Sequence, residues 1–292
     1  MFNRHKGIIY IILSSILFGL MPLFAKIAYA HHSNAYMVAF IRFLSGSFFL
    51  LLWGRKSLFT INRKELSSYL ILSLPYALTP IFLYLSYNYI DGGTATTLHF
   101  TYPILVMLMM FMIDKKISSR QVLCALLAAG GLAMLYSPSS HTSILGNGIA
   151  IFSGTIYAIY IILLGKSHLE HISALVIAFW VSLFASMEIG GIAYVQGQFT
   201  LSFDVECWLV QILMGLLATT FALMLFQKGL LLCGEIKASI FSTFEPITGL
   251  VVGAMFQGEY LSSFKMMGII LILLAVLVLV IPIKKCVYFL CK

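Results

Sequence analysis

Charge is scarce in this chain. Only 10% of its 292 residues are Asp, Glu, Lys or Arg, against roughly 25% in a soluble domain. No long polar stretch separates the apolar runs, so no soluble domain is expected between them. The five cysteines, at 124, 207, 233, 286 and 291, include no C-x-x-C pair, and neither a disulfide framework nor a zinc site is expected. The signatures G-x-x-x-x-G-K-[ST], H-E-x-x-H and G-x-S-x-G are missing, as is any acidic metal cluster at an interface. An ATP-driven pump and a membrane enzyme therefore lack their usual marks. No catalytic residue, metal or cofactor is expected.

What is present is hydrophobic. Apolar residues make up 61% of the chain, and mean hydropathy is +1.01. A bilayer interior offers no hydrogen bonds, so spanning segments must be helices or a closed barrel. The apolar runs here match the roughly 17–25 residues of a membrane helix and lack the two-residue alternation of barrel strands. Ten spans are expected, at 7–30, 34–53, 67–89, 93–113, 120–136, 146–164, 172–195, 205–232, 237–256 and 264–282. The first is longer than a cleaved leader's apolar region and has no A-x-A-like exit, so it is read as a retained span.

The net charge of +8 is distributed unevenly. With the N-terminus inside, the inner segments hold nearly all Lys and Arg, while the outer loops hold only Lys265. Lys26 and Arg42 lie within spans. This bias implies both termini in the cytoplasm. It assigns the positive charge to anionic lipid headgroups and away from nucleic acid.

The chain also repeats itself. TATTLHFTYPILVMLMM leads into DKKISSRQ and a second apolar run; KASIFSTFEPITGLVVG does the same through EYLSSFK. GIIYIILSSILFGLMPLFAK likewise matches GIAIFSGTIYAIYIILLGK with one gap. Two units follow, 1–140 and 141–292, each of five spans. Five is odd, so the second unit enters from the opposite face. Inverted repeats of this kind place a midplane site between two halves that rock alternately.

Phe40-Ile41-Arg42-Phe43, Tyr102-Pro103, Glu245-Pro246 and Gln257-Gly258-Glu259-Tyr260-Leu261-Ser262 together resemble the EamA family of the drug/metabolite transporter superfamily. The resemblance spans nearly the whole chain. Tyr102 departs from the acidic residue of many relatives, and Asp114-Lys115-Lys116 from their glycine-glutamate turn. It implies a metabolite carrier, often an exporter, in a bacterial plasma membrane, with a substrate class too varied to carry over.

Depth along each span sorts the buried polar residues. Lys26 and Glu188 fall near the outer boundary, where Lys26 can snorkel. Arg42 and Glu245 fall near the midplane, where a charge needs a partner or a wet cavity. Each could be structural, and Glu245 could also bind a cation or carry a proton. His99 and Tyr102 share one face of span four, joined by Thr96, and correspond to Ser242 and Glu245 in span nine. Phe18, Tyr76, Tyr157, Tyr160 and Trp180 are aromatic within spans, where a tyrosine hydroxyl needs a partner. Gly249-x-x-x-Gly253 permits close helix packing. The expected function is a secondary carrier for an amino acid or related amphipathic amine, monomeric or weakly dimeric, with protons as a candidate coupling ion. A uniporter or exchanger for a nucleotide-derived compound or a sugar stands as the alternative, and a channel fits the repeat less well.

Overall fold

The computed structural model describes residues 2–59, 62–90, 92–115, 117–136, 143–256 and 262–280. Among these every regular element is helical. The helices are α1 (Phe2–Phe18), α2 (Met21–Ala30), α3 (Ala35–Gly54), α4 (Arg63–Ser86), α5 (Gly92–His99), α6 (Tyr102–Asp114) and α7 (Ser119–Leu135). Then come α8 (Ile144–Gly165), α9 (Ala174–Val195), α10 (Val205–Met214), α11 (Met224–Cys233), α12 (Glu235–Phe241), α13 (Phe244–Phe256) and α14 (Ser263–Val280). A π segment, Gly215–Leu223, joins α10 to α11 without interrupting the rod. Eight runs are long and apolar enough to cross a bilayer, and two shorter apolar helices, Ser119–Leu135 and Ser263–Leu279, accompany them. The C-terminal lysines, Cys286, Cys291 and most of the Gln257–Ser262 motif lie outside the described residues.

Three of the expected continuous spans are broken. Span one parts at Gly19-Leu20, span four at Phe100-Thr101 and span nine at Ser242-Thr243. Proline is the cause in each: Pro22, Pro103 and Pro246 stand within the first turn of the second piece, where a missing amide costs least. Four residues earlier, the carbonyls of Phe18, His99 and Ser242 lose their helical donor. At span nine the Glu245 amide donates to the Ser242 carbonyl at 2.9 Å, tightening the joint to a 3₁₀ turn. Pro75 and Pro80 inside α4 cause no break; the Thr79 hydroxyl donates to the Pro75 carbonyl at 2.7 Å.

Helices of the two halves pack in matched pairs: α7 on α14, α3 on α9, and α4 on α8 as α1 on α11. The α4–α9 contact has its counterpart between α3 and the π segment. Glycine makes the closest approaches possible. A Cβ on Gly131 would stand 2.7 Å from the Gly268 carbonyl oxygen, and one on Gly268 would stand 2.7 Å from that of Gly131. Gly7 and Gly229 meet the same way across α1 and α11.

Side chains tie the loops into two groups at opposite ends of the bundle. At one end, Lys166 Nζ lies 2.9 Å from Asp114 Oδ1, His171 faces Glu65 at 3.9 Å, and Arg120 donates to the Val278 carbonyl near the end of α14. At the other, the segments after α2 and α9 meet: Asn34 Nδ2 donates to the Gln198 carbonyl at 2.8 Å.

Candidate functional site

The break in span four sets His99 at the end of α5 and Tyr102 at the start of α6. They no longer sit on one continuous helical turn, yet their rings remain 5.5 Å apart. Tyr157 of α8 stands 5.6 Å from the His99 ring and 4.8 Å from the Tyr102 ring. Tyr157 and Tyr160 stack at 5.8 Å and 17° on one face of α8, and Tyr76 of α4 adjoins Tyr160 at 4.8 Å. Phe43 extends the row to Arg42, whose guanidinium carbon is 4.2 Å from that ring's centre. Aromatic rings at these separations contribute beyond their buried area. The row runs through four spans and has no sequence-local signature.

His99 is held firmly. Its Nδ1 is 3.0 Å from the Ser153 hydroxyl, and that hydroxyl donates to the Thr79 carbonyl at 2.9 Å. With its one proton committed, Ser153 must accept, so Nδ1 of His99 carries the hydrogen. Gly154, next along α8, packs against the His99 carbonyl with no space for a Cβ. Span nine repeats the device. A Cβ on Gly19 would lie 2.8 Å from the Glu245 carbonyl oxygen, and Thr248 crowds the same point. Spans four and nine are thus each crossed near the joint by a glycine from the other half.

Glu245 is surrounded by protein but keeps accessible surface, so it borders an internal cavity. Its carboxylate has no partner within ion-pair distance among the described residues. Arg42 acts on it electrostatically yet lies beyond 4.0 Å. Tyr76 and Tyr84 each lie within reach of both charges. Across the chamber, the Tyr102 hydroxyl lies near Ser242 and Glu245, though buried without a hydrogen bond of good geometry. Ser242 itself donates to the Ala238 carbonyl at 2.7 Å.

Arg42 is 3% exposed. One Nη1 contacts Met21 Sδ at 2.8 Å and the Tyr84 hydroxyl at 3.4 Å, and Nε has no partner. Gln227 donates to the Tyr160 hydroxyl at 3.0 Å while its Oε1 is unpartnered. Tyr84, Tyr87 and Gln227 belong to this polar lining, and sequence reasoning missed all three. Their signal was an uncharged polar group inside an apolar run, which is weaker than a charge.

The remaining expected residues separate. Phe18 is buried at the end of α1, beside the span-one joint. Trp180 stands apart from the tyrosine row: its Nε1 donates to the Leu58 carbonyl at 2.9 Å, and its ring packs on Phe59, Phe179 and Phe184. Leu58 lies in the turn after α3, so Trp180 anchors a loop at the Lys166 end. Thr96 faces the Tyr87 hydroxyl at 3.3 Å. Glu188 accepts from Ser73 at 2.6 Å between α4 and α9, away from the chamber. Gly249 lies near the Gly19 carbonyl, within the bundle.

At the end opposite Lys166 a cavity of about 480 Å³ opens between Tyr29, Ser33, Asn34, Tyr36, Asn88 and Gln198. Its lining carries no charged side chain. Tyr29 lies within electrostatic reach of Tyr84 and Tyr87, so this mouth adjoins the Arg42 side of the chamber. Beside it His31 Nδ1 is 2.6 Å from Asp204 Oδ2, with Glu206 3.6 Å from Nε2. The Asp204 hydrogen bond raises the His31 pKa. The Cys207 amide first, then His31, lower that of Asp204.

Long apolar helices packed around a buried cluster of tyrosines and polar groups, with two proline joints crossed by glycines, suit a membrane transport protein. The chain belongs to the EamA-like transporter family, whose family model matches it twice, over residues 5–137 and 144–281. That family is part of the drug/metabolite transporter superfamily. A solved structure titled "Crystal structure of protein" has the same fold, with a TM-score of 0.78, 12% identity, and coverage of 95% of this chain and 97% of that one. Among curated proteins nothing matches.

Proposed function

We propose that this chain is a secondary carrier that moves an amino acid or related amphipathic amine by alternating access, in the direction of export, across a bacterial plasma membrane. Ten spans form two inverted units, 1–140 and 141–292, with both termini in the cytoplasm and the Lys166 end inside. The matched helix pairs and the two glycine-crossed joints support the inversion. The protein acts as a monomer or weak dimer.

One observation carries the reading: Glu245 borders an internal cavity without a partner, at a broken helix, facing tyrosines. An unpaired carboxylate at that depth is expensive, so its presence fits a group that meets a cation in turn. Glu245 binds the substrate amine or takes the coupling proton. Tyr76, His99, Tyr102, Tyr157, Tyr160 and Ser242 form the surrounding surface, with Phe18 at its edge.

The test is Glu245→Gln in proteoliposomes. Loss of the pH dependence of uptake, with saturable counterflow retained, is expected of a proton carrier. Transport with its pH dependence intact would remove the proton role.

A further inference from the structure

The carrier reading leaves Arg42 without a task, and its surroundings do not suit a structural cation. A guanidinium has five N–H donors. Here the donors meet one thioether, one phenol hydroxyl at 3.4 Å and the face of the neighbouring ring, and Nε meets nothing. Glu245, the carboxylate that acts on it, stays beyond ion-pair distance. A buried charge in this condition costs several kcal/mol or more, and a planar fork without its anion is poised to take one.

We infer that Arg42 receives a carboxylate of the transported molecule, which makes the chamber a receptor for zwitterions: carboxylate at Arg42, ammonium at Glu245. This inference rests on the carrier reading. Tyr76 and Tyr84 lie within reach of both charges, which puts the two ends of the receptor in one chamber. The mouth beside Tyr29, at the outer end, is uncharged and of small-molecule size, so it lets amines, acids and zwitterions leave alike. Discrimination by charge therefore falls to the charges within the bundle, Arg42 and Glu245. A simple amine would satisfy Glu245 and leave the guanidinium buried and alone.

The test compares matched sets on the purified full-length protein: leucine, its methyl ester and isoamylamine; phenylalanine, its methyl ester and phenethylamine. Binding is read by thermal shift, and transport by counterflow in proteoliposomes. In at least one set the free acid is expected to bind at least about tenfold more tightly than its ester and amine, as a charge-assisted fork would give. Arg42→Gln is expected to abolish that preference while ester and amine affinities hold, and Arg42→Lys to keep part of it. Glu245→Gln should instead weaken all three. Equal binding of acid, ester and amine would overturn the inference, as would a folded Arg42→Gln protein that loses all three in proportion. Should Arg42→Gln fail to fold, the acid-against-ester comparison on the unaltered protein decides alone. Transport of amines and esters but not acids removes the Arg42 role and leaves the carrier standing. If no member binds or moves, both readings fall together.

Discussion

Tyr102 and Glu245 occupy equivalent positions before a proline in the two repeats, and they are not chemically equivalent. One offers a neutral hydroxyl without a good partner, the other a carboxylate without one. Tyr102→Ala and Glu245→Ala are each expected to abolish transport while the protein stays monodisperse with wild-type helicity by circular dichroism; normal uptake by both would dismiss the site. His31 gives a second prediction at this scale. Its folded pKa is raised, so its bond to Asp204 contributes fully below the unfolded value of about 6.5 and is lost as pH rises through the raised folded pKa. Asp204, whose pKa is lowered, contributes above its unfolded value and loses that share only as pH falls through its own lowered pKa. The clasp is therefore tightest in mildly acidic medium, with His32 and Glu206 beside it. Amide exchange at His31 and Asn34 should quicken above neutral pH, and His31→Gln should flatten that response. Arg42 and Glu245 were legible in the sequence because a charge inside an apolar run stands out. Tyr84 and Gln227 were not, since only packing tells a lining hydroxyl or amide from one buried elsewhere. Trp180 shows the same limit: position in a span says nothing about which neighbour its indole N–H will find.

Helix breaks and helix crossings are the business of the elements. The prolines at 22, 103 and 246 are visible in the sequence, but apolar runs continue through the joints and hide the breaks. A proline's effect on the carbonyl four residues earlier is local and could have been read; whether the chain then bends or bulges depends on neighbours. Pro75 and Pro80 make the point, since α4 stays whole although the Ile71 and Tyr76 carbonyls lose their helical donors. Glycine crossings are harder to read, because a glycine at an interface and one facing lipid look alike in a single sequence. Gly131→Leu is expected to force α7 and α14 apart, at a cost of about 1–3 kcal/mol or more for an overpacked contact. Gly148→Leu, at a position with nothing near its Cβ, should change little. Comparison of their unfolding midpoints in detergent checks both.

At the scale of the whole molecule, the repeat, the helical membrane character and the family were all open to sequence, because hydropathy and duplication are written along the chain. The charge map also divides the loops as the contacts do: Lys166, Asp114 and Arg120 gather at one end, His31 and Asp204 at the other. Sidedness is checked by single cysteines at Gln198 and His168 in a protein whose five native cysteines are replaced. A membrane-impermeant maleimide applied to intact cells should label the first and spare the second until the cells are opened. The bundle's polar centre was not open to sequence, since it is assembled from spans up to two hundred residues apart. One joint carries a mechanical consequence. Gly19 abuts the very carbonyl of Glu245, with no room for a methyl group between them. Any tilt of α2 about its hinge must therefore push or release the backbone that bears the acid. On the proposed carrier reading, span one and the acid of span nine therefore move together.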